Sequence, residues 1–265
     1  MNIFLREMKA HRFGLGFWSL GMVAMVYMGM AKYGAYEASG ENVQVIMDAL
    51  PRAVRAVFGL TGFDLSTAAG FYGVLFNFVA IIAALHAVLL GSDLVAKEER
   101  DRTSEFLFAR PASRARILTG KMLAGVVNLV VLNIVTLVSS LAVIDVYNKE
   151  EPFTGDVVAL MVGLFFIQLI NLSIGALVAG AIHRPKAAGS RASTIMFATF
   201  LLSVAVNINE RLDVLAYLTP FLYFDAADVM GSHGLDAVFV VLSVAITGVA
   251  VALTYRLLAA RDLVI

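Results

Sequence analysis

Residues 71–95 read FYGVLFNFVAIIAALHAVLLGSDLV, and after Ala96 the chain turns at once to KEERDR at 97–102. As a helix rising 1.5 Å per residue the apolar run measures about 37 Å, enough to cross the roughly 30 Å hydrocarbon core of a bilayer with some tilt. Five further runs share this character: 13–33, 118–144, 157–182, 192–208 and 237–258. All five prolines, Pro51, Pro111, Pro152, Pro185 and Pro220, fall between the six runs. That placement suits helices whose interior amides must all be bonded within lipid. The expected fold is an all-α polytopic membrane protein, one transmembrane domain over 1–265 with six spans.

Composition agrees. Of 265 residues, 60% are hydrophobic and 15% charged, against about 45–50% and about 25% in soluble domains, so the polar surface is too small for a water-soluble globule. Disordered, collagenous and nucleic-acid-binding classes are excluded. The chain has no cysteine, which removes disulfide frameworks, thiolate zinc sites and cysteine nucleophiles.

The formal net charge of zero hides an asymmetry. Twenty basic residues balance twenty acidic ones, but fifteen of the basic residues lie at one set of helix ends, near residues 6–12, 97–121, 184–191 and 256–261. Thirteen of the acids lie at the other. The positive-inside rule makes the basic side cytoplasmic, with both termini there and an even number of spans. The location expected is a cell membrane.

Before the first span, Ile3, Phe4, Leu5 and Met8 alternate with Arg6, Glu7 and Lys9. This predicts an amphipathic helix at the cytoplasmic interface, since a cleavable signal would run directly from its basic start into its apolar core. On the outer side, loop 34–70 is long enough to carry a surface helix. Loop 209–236 holds the apolar run 215–224, interrupted by Pro220, which reads as surface helices or a re-entrant pair before the last span. A re-entrant segment requires protein or water over its backbone.

The cytoplasmic loop 96–117 is the most polar part of the chain. Glu98 and Arg102 stand at acid-first i, i+4 spacing. Thr103 is placed to cap a short helix, with Glu105 favourable in its first turn and Pro111 ending it. Ser113 then caps the third span. The short helix carries Phe106, Leu107 and Phe108 between clusters of charge, suited either to lie on lipid or to serve as a knob for a soluble partner.

The loop resembles the coupling loop of the type-two ABC transporter permease family. The acidic pair Glu98-Glu99, the core Thr103-Ser104-Glu105-Phe106-Leu107, the step Pro111-Ala112-Ser113-Arg114 and the closing Gly120-Lys121 follow in the family's order. The stretch LAYLTPFLYFDAADV at 215–229 resembles the family's pattern before the last span. Arg102 departs from the glycine that many members have before the motif threonine. The resemblance implies a permease subunit of an ATP-driven exporter that works as a dimer with a second permease chain. Separate ABC ATP-binding subunits would hold ATP and Mg²⁺, leaving no cofactor on this chain. It also implies that the coupling helix inserts into those subunits, with Phe106 and Leu107 as the apolar knob and Glu98, Glu99, Glu105 and Arg114 as its rim. The residues agree that the ATPase lies elsewhere: Ala115 and Met122 stand where a phosphate-binding loop ending in Gly120-Lys121 needs glycine and Ser or Thr.

Three polar stripes run along spans: Asn133, Thr136 and Ser140 on the third, Gln168, Asn171 and Gly175 on the fourth, Thr199, Ser203 and Asn207 on the fifth. Each is read either as interhelical hydrogen bonding with close packing or as the lining of a path. The family's tendency to place spans two and five at the dimer interface favours the Thr199 stripe for lining. His86 and Asp93 share a face of the second span, where His86 is a further candidate lining residue and Asp93 is placed to pair with Lys97 at i+4. The alternatives are an ion-driven secondary transporter, which would rest on this His86–Asp93 pair, and a non-transporting membrane anchor.

Overall fold

A computed structural model describes residues 3–39, 45, 47, 49–101, 113–149, 152–182, 184–232 and 234–260. The long helices are α1 (Ile3–Ser39), α3 (Ala68–Arg100), α4 (Arg114–Tyr147), α5 (Thr154–Ala181), α6 (Ala188–Ile208) and α9 (Ala237–Ala260), with α2 (Arg52–Val57), α7 (Pro220–Tyr223) and α8 (Ala226–Ser232) as short pieces. The 3₁₀ turns Pro185–Ala187 and Glu210–Leu218 flank α6. Among the described residues six helices are long and apolar enough to cross a membrane, and they coincide with the six runs in the sequence.

Local chemistry sets several boundaries. Thr67 caps α3 by accepting from the Gly70 amide at 3.0 Å, and Ser113 caps α4 by accepting from the Arg116 amide at 3.3 Å, as its position predicted. Pro220 opens α7 at the first turn, where a missing N–H costs nothing.

Helices α3 and α5 form the centre of the bundle. Val79, Ala83, Ala84 and Val88 of α3 share one buried cluster with Leu160, Leu164, Ile167 and Ile170 of α5. Their backbones touch: a methyl group at Gly91 would overlap the Leu172 carbonyl, and one at Gly175 would overlap that of Val88. Between helices in lipid such close approach replaces the hydrophobic effect as the source of cohesion. Helix α1 lies along α4, α6 against α3 and α9 against α5. Phe13, Phe17 and Leu20 of α1 and Val238, Val241 and Val244 of α9 are exposed, an apolar exterior suited to acyl chains.

The N-terminal residues depart from expectation. Helix α1 runs unbroken from Ile3 into the span, and its orientation is the reverse of an interfacial helix: Glu7 is 1% exposed while Leu5 is 61% exposed. The charges turn inward because the bundle holds partners for them, described below. Loop 209–236 folds back as the paired short helices the sequence suggested. The Thr219 hydroxyl donates to the Thr199 carbonyl at 2.9 Å, nine residues before the end of α6, or about 13 Å along its axis. Tyr223, Phe224, Ala226 and Val229 are buried, so protein covers this backbone as a re-entrant segment requires. In loop 34–70 α2 is a six-residue helix seated against α6.

Candidate functional site

The bases of α1, α3 and α4 meet in a cluster of charge. The Arg6 guanidinium bridges Glu7 at 2.7 Å and Glu98 at 3.0 Å. Lys121 donates to the Glu98 carboxylate and, at 2.7 Å, to the Leu94 carbonyl. His11 and Lys97 stand 3.6 and 3.9 Å from the second Glu7 oxygen. Glu7, Glu98 and Lys121 are all buried. Gly120 lies against Ile3 and the Phe4 amide of α1, where a Cβ would stand at ordinary contact distance.

These contacts revise two expected pairings. Lys97 approaches Glu7, and Asp93 accepts instead from Arg100 at 2.5 Å, because arginine seven residues on reaches back along the same face and leaves Lys97 to the deeper acid. Glu98, expected beside Arg102 and on the rim of the coupling helix, points inward to Lys121 and Arg6. Glu99 is half-buried. Exposed Arg114 donates to the Leu258 carbonyl of α9 at 3.1 Å. Thr103, Glu105, Phe106, Leu107 and Pro111, with Arg102 and Phe108, lie outside the described residues.

Beside the cluster a cleft of about 310 Å³ opens between α1, α3 and the turn before α6. His86 lines it and packs on Trp18, ring centres 5.3 Å apart. Asp93 shares the cleft but gives its carboxylate to Arg100.

The opposite end is built from aromatic rings. Tyr223 stacks on Phe239 at 5.1 Å, Phe224 on Phe166 at 5.7 Å, and Phe221 meets Phe200 edge-on at 5.5 Å. Beneath them Ser203 and Asn207 line a narrow cavity of about 60 Å³ with Asn77 and Asp225. Burial holds the Asp225 carboxyl above the usual aspartate range, although it accepts from the Ala227 amide. Thr199 does not line this cavity; its hydroxyl donates to Met196 and its carbonyl receives Thr219. The other stripes join each other: Asn133 donates to Gln168 at 3.3 Å and to the Met161 carbonyl at 3.0 Å. That is the interhelical reading of those residues.

Against known families, the chain matches the model of the ABC-2 family transporter proteins over residues 1–263. It belongs to the ABC-2 transporter family. No curated protein matches it.

As an ABC-2 transporter protein the chain is a multi-pass permease, the transport subunit of its system. Several residues of this ABC-2 permease escaped the reading of the sequence. Glu7 looked like one charge of a solvated face, and Lys121 like the last letter of a loop motif; Lys97 approaches Glu7 from 90 residues away and Glu98 meets Lys121 from 23. Asn77 and Asp225 join Ser203 and Asn207 only because loop 209–236 folds back. The Gly120-Lys121 pair was the one usable signal, a small residue and a cation adjacent near the start of an apolar run. Among the described residues no group of three His, Asp or Glu side chains is placed to hold a metal ion.

Proposed function

We propose that this ABC-2 permease is the membrane half of an ATP-driven exporter in a cell membrane, with both termini cytoplasmic. It pairs with a second permease chain and with separate ABC ATP-binding subunits that hold ATP and Mg²⁺. The observation that carries the reading is the buried Glu98–Lys121 pair at the root of residues 102–112, extended by Arg6 and Glu7 to α1. A buried ion pair resists separation because either charge left alone in a low-dielectric interior is costly, about 3–5 kcal/mol. A push on residues 102–112 is therefore delivered to α1, α3 and α4 together.

In this account Phe106 and Leu107 form the apolar knob for the ATP-binding subunit. Glu99, Thr103, Glu105, Pro111 and Arg114 shape its surroundings, and Glu98 acts inward as the anchor. ATP-driven closure of the two ATP-binding subunits draws the knobs together, and the motion reaches the outer end through the long helices. There Ser203 and Asn207 line the path, with Thr199 holding the re-entrant segment at its floor and His86 on the inner approach.

The test is affinity purification from solubilised membranes. A soluble ATP-binding chain in roughly stoichiometric amount is expected, and Phe106→Ala with Leu107→Ala detaches it while the permease remains inserted. Absence of such a chain overturns the exporter reading, and unaltered association overturns the knob. Transport that survives ATP depletion and requires His86 or Asp93 would establish the ion-driven alternative instead.

A further inference from the structure

The cleft at the inner end has two cations, Arg100 and Lys186, with no use in the proposed transport cycle. Its walls change character along α3: Leu15, Trp18 and Leu89 are apolar, whereas Arg100 and Lys186 lie toward the basic end of the bundle. His86, 4% exposed, lines it. Charge favours an anion. Arg100 and Lys186 face the cleft with the imidazole of His11; Arg100 is held by Asp93 and Asp101, which leaves Lys186 as the cation for an anion.

We propose that this cleft binds an anionic phospholipid of the cytoplasmic leaflet. The phosphodiester sits against Lys186 and Arg100, and an acyl chain follows Trp18 and Leu15 toward the bilayer. Basic pockets between helices on the cytoplasmic side are suited to acidic headgroups, and each basic residue near the surface raises affinity about fivefold. The leaflet assigned rests on the orientation proposed above; the binding does not.

Trp18 is the only tryptophan in the chain, so its fluorescence reports on this cleft alone. The purified chain is reconstituted in vesicles with the same lipids in both leaflets, containing either brominated phosphatidylglycerol or brominated phosphatidylcholine at equal mole fraction. The glycerol lipid is expected to quench Trp18 with a binding constant at least about fivefold higher. Lys186→Gln removes most of that preference and Lys186→Arg retains it. Lys9→Gln, a neutralisation on the same face outside the cleft, leaves it unchanged, and inorganic phosphate does not compete. Equal quenching by the two lipids overturns the proposal. So does a preference lost equally in Lys9→Gln, which would mean general attraction to a basic face, or displacement by phosphate, which would mean a soluble anion. Because both leaflets are alike, an error in orientation leaves these results untouched and appears separately in protease protection of a terminal tag.

Discussion

The two ends of this bundle are held by different forces. At the basic end five charged side chains, Arg6, Glu7, Lys97, Glu98 and Lys121, join three helices through directional contacts. At the opposite end the folded-back segment 209–236 is held by stacked rings and a few backbone hydrogen bonds. Ionic contacts in a buried site are all-or-none, because one missing partner strands a charge. Aromatic contacts are graded: rings slide and retilt with small loss, each pair contributing about 0.5–1.5 kcal/mol beyond its packing. In the proposed cycle a push received at one end opens the other, and this division supplies a stiff base and a yielding cap.

The contrast can be broken most severely at the base. Glu98→Ala strands Lys121 and is expected to destabilise the folded chain by about 3–5 kcal/mol, read from unfolding in detergent. The pair Glu98→Gln with Lys121→Met recovers most of that loss, since no charge is left alone. At the cap, Phe224→Ala removes a ring that is 1% exposed and should cost about 3 kcal/mol. No partner charge is stranded there, so no second substitution rescues it. In the centre, Gly175→Ala forces α3 and α5 apart and should cost about 1–3 kcal/mol, with earlier proteolysis of both helices. Asn133→Leu cuts two interhelical bonds and should cost only about 0.6 kcal/mol for each.

Acid gives a smaller effect, at the outer cap of α3. Asp64 accepts from the Ser66 amide and hydroxyl, which hold its carboxyl below the usual aspartate range. Its depressed pKa means that the contribution is complete above the ordinary aspartate value and is lost as pH falls through the lowered one. Hydrogen exchange at residues 66–70 is expected to rise on acidification in that range, and to be insensitive to it in Asp64→Asn.

The spans were legible because length and apolarity state them directly, and Ser113 and Pro220 mark their neighbouring boundaries without help from the fold. The base of the bundle was not. Arg6 and Glu7 carry the same local pattern whether water or Glu98 and Lys121 satisfy them, and only the packing of α1 along α4 decides. Asp93 had two cations on its own face, Lys97 and Arg100, and the choice depended on Glu7, a residue of another helix. The Thr199 stripe was visible as a stripe, but its division into Ser203 and Asn207 at a cavity and Thr199 at a helix contact follows from the refolding of loop 209–236. The glycines at 91 and 175 announced small size; what they make room for lies on other helices.

The rigid base and yielding cap meet in one measurement. The chain has no native cysteine, and a Cβ at Gly120 would lie 3.4 Å from that of Ile3, within reach of a disulfide. Ile3→Cys with Gly120→Cys therefore locks α1 to α4 at the base, while Asn207→Cys in the same chain reports on the outer cavity through a membrane-impermeant maleimide. In membranes containing the ATP-binding partner, ATP is predicted to change the rate of labelling at residue 207 equally with the base locked or reduced, because α1 and α4 already move as one body. If the lock abolishes the response to ATP and reduction restores it, the base works by sliding and the account is contradicted.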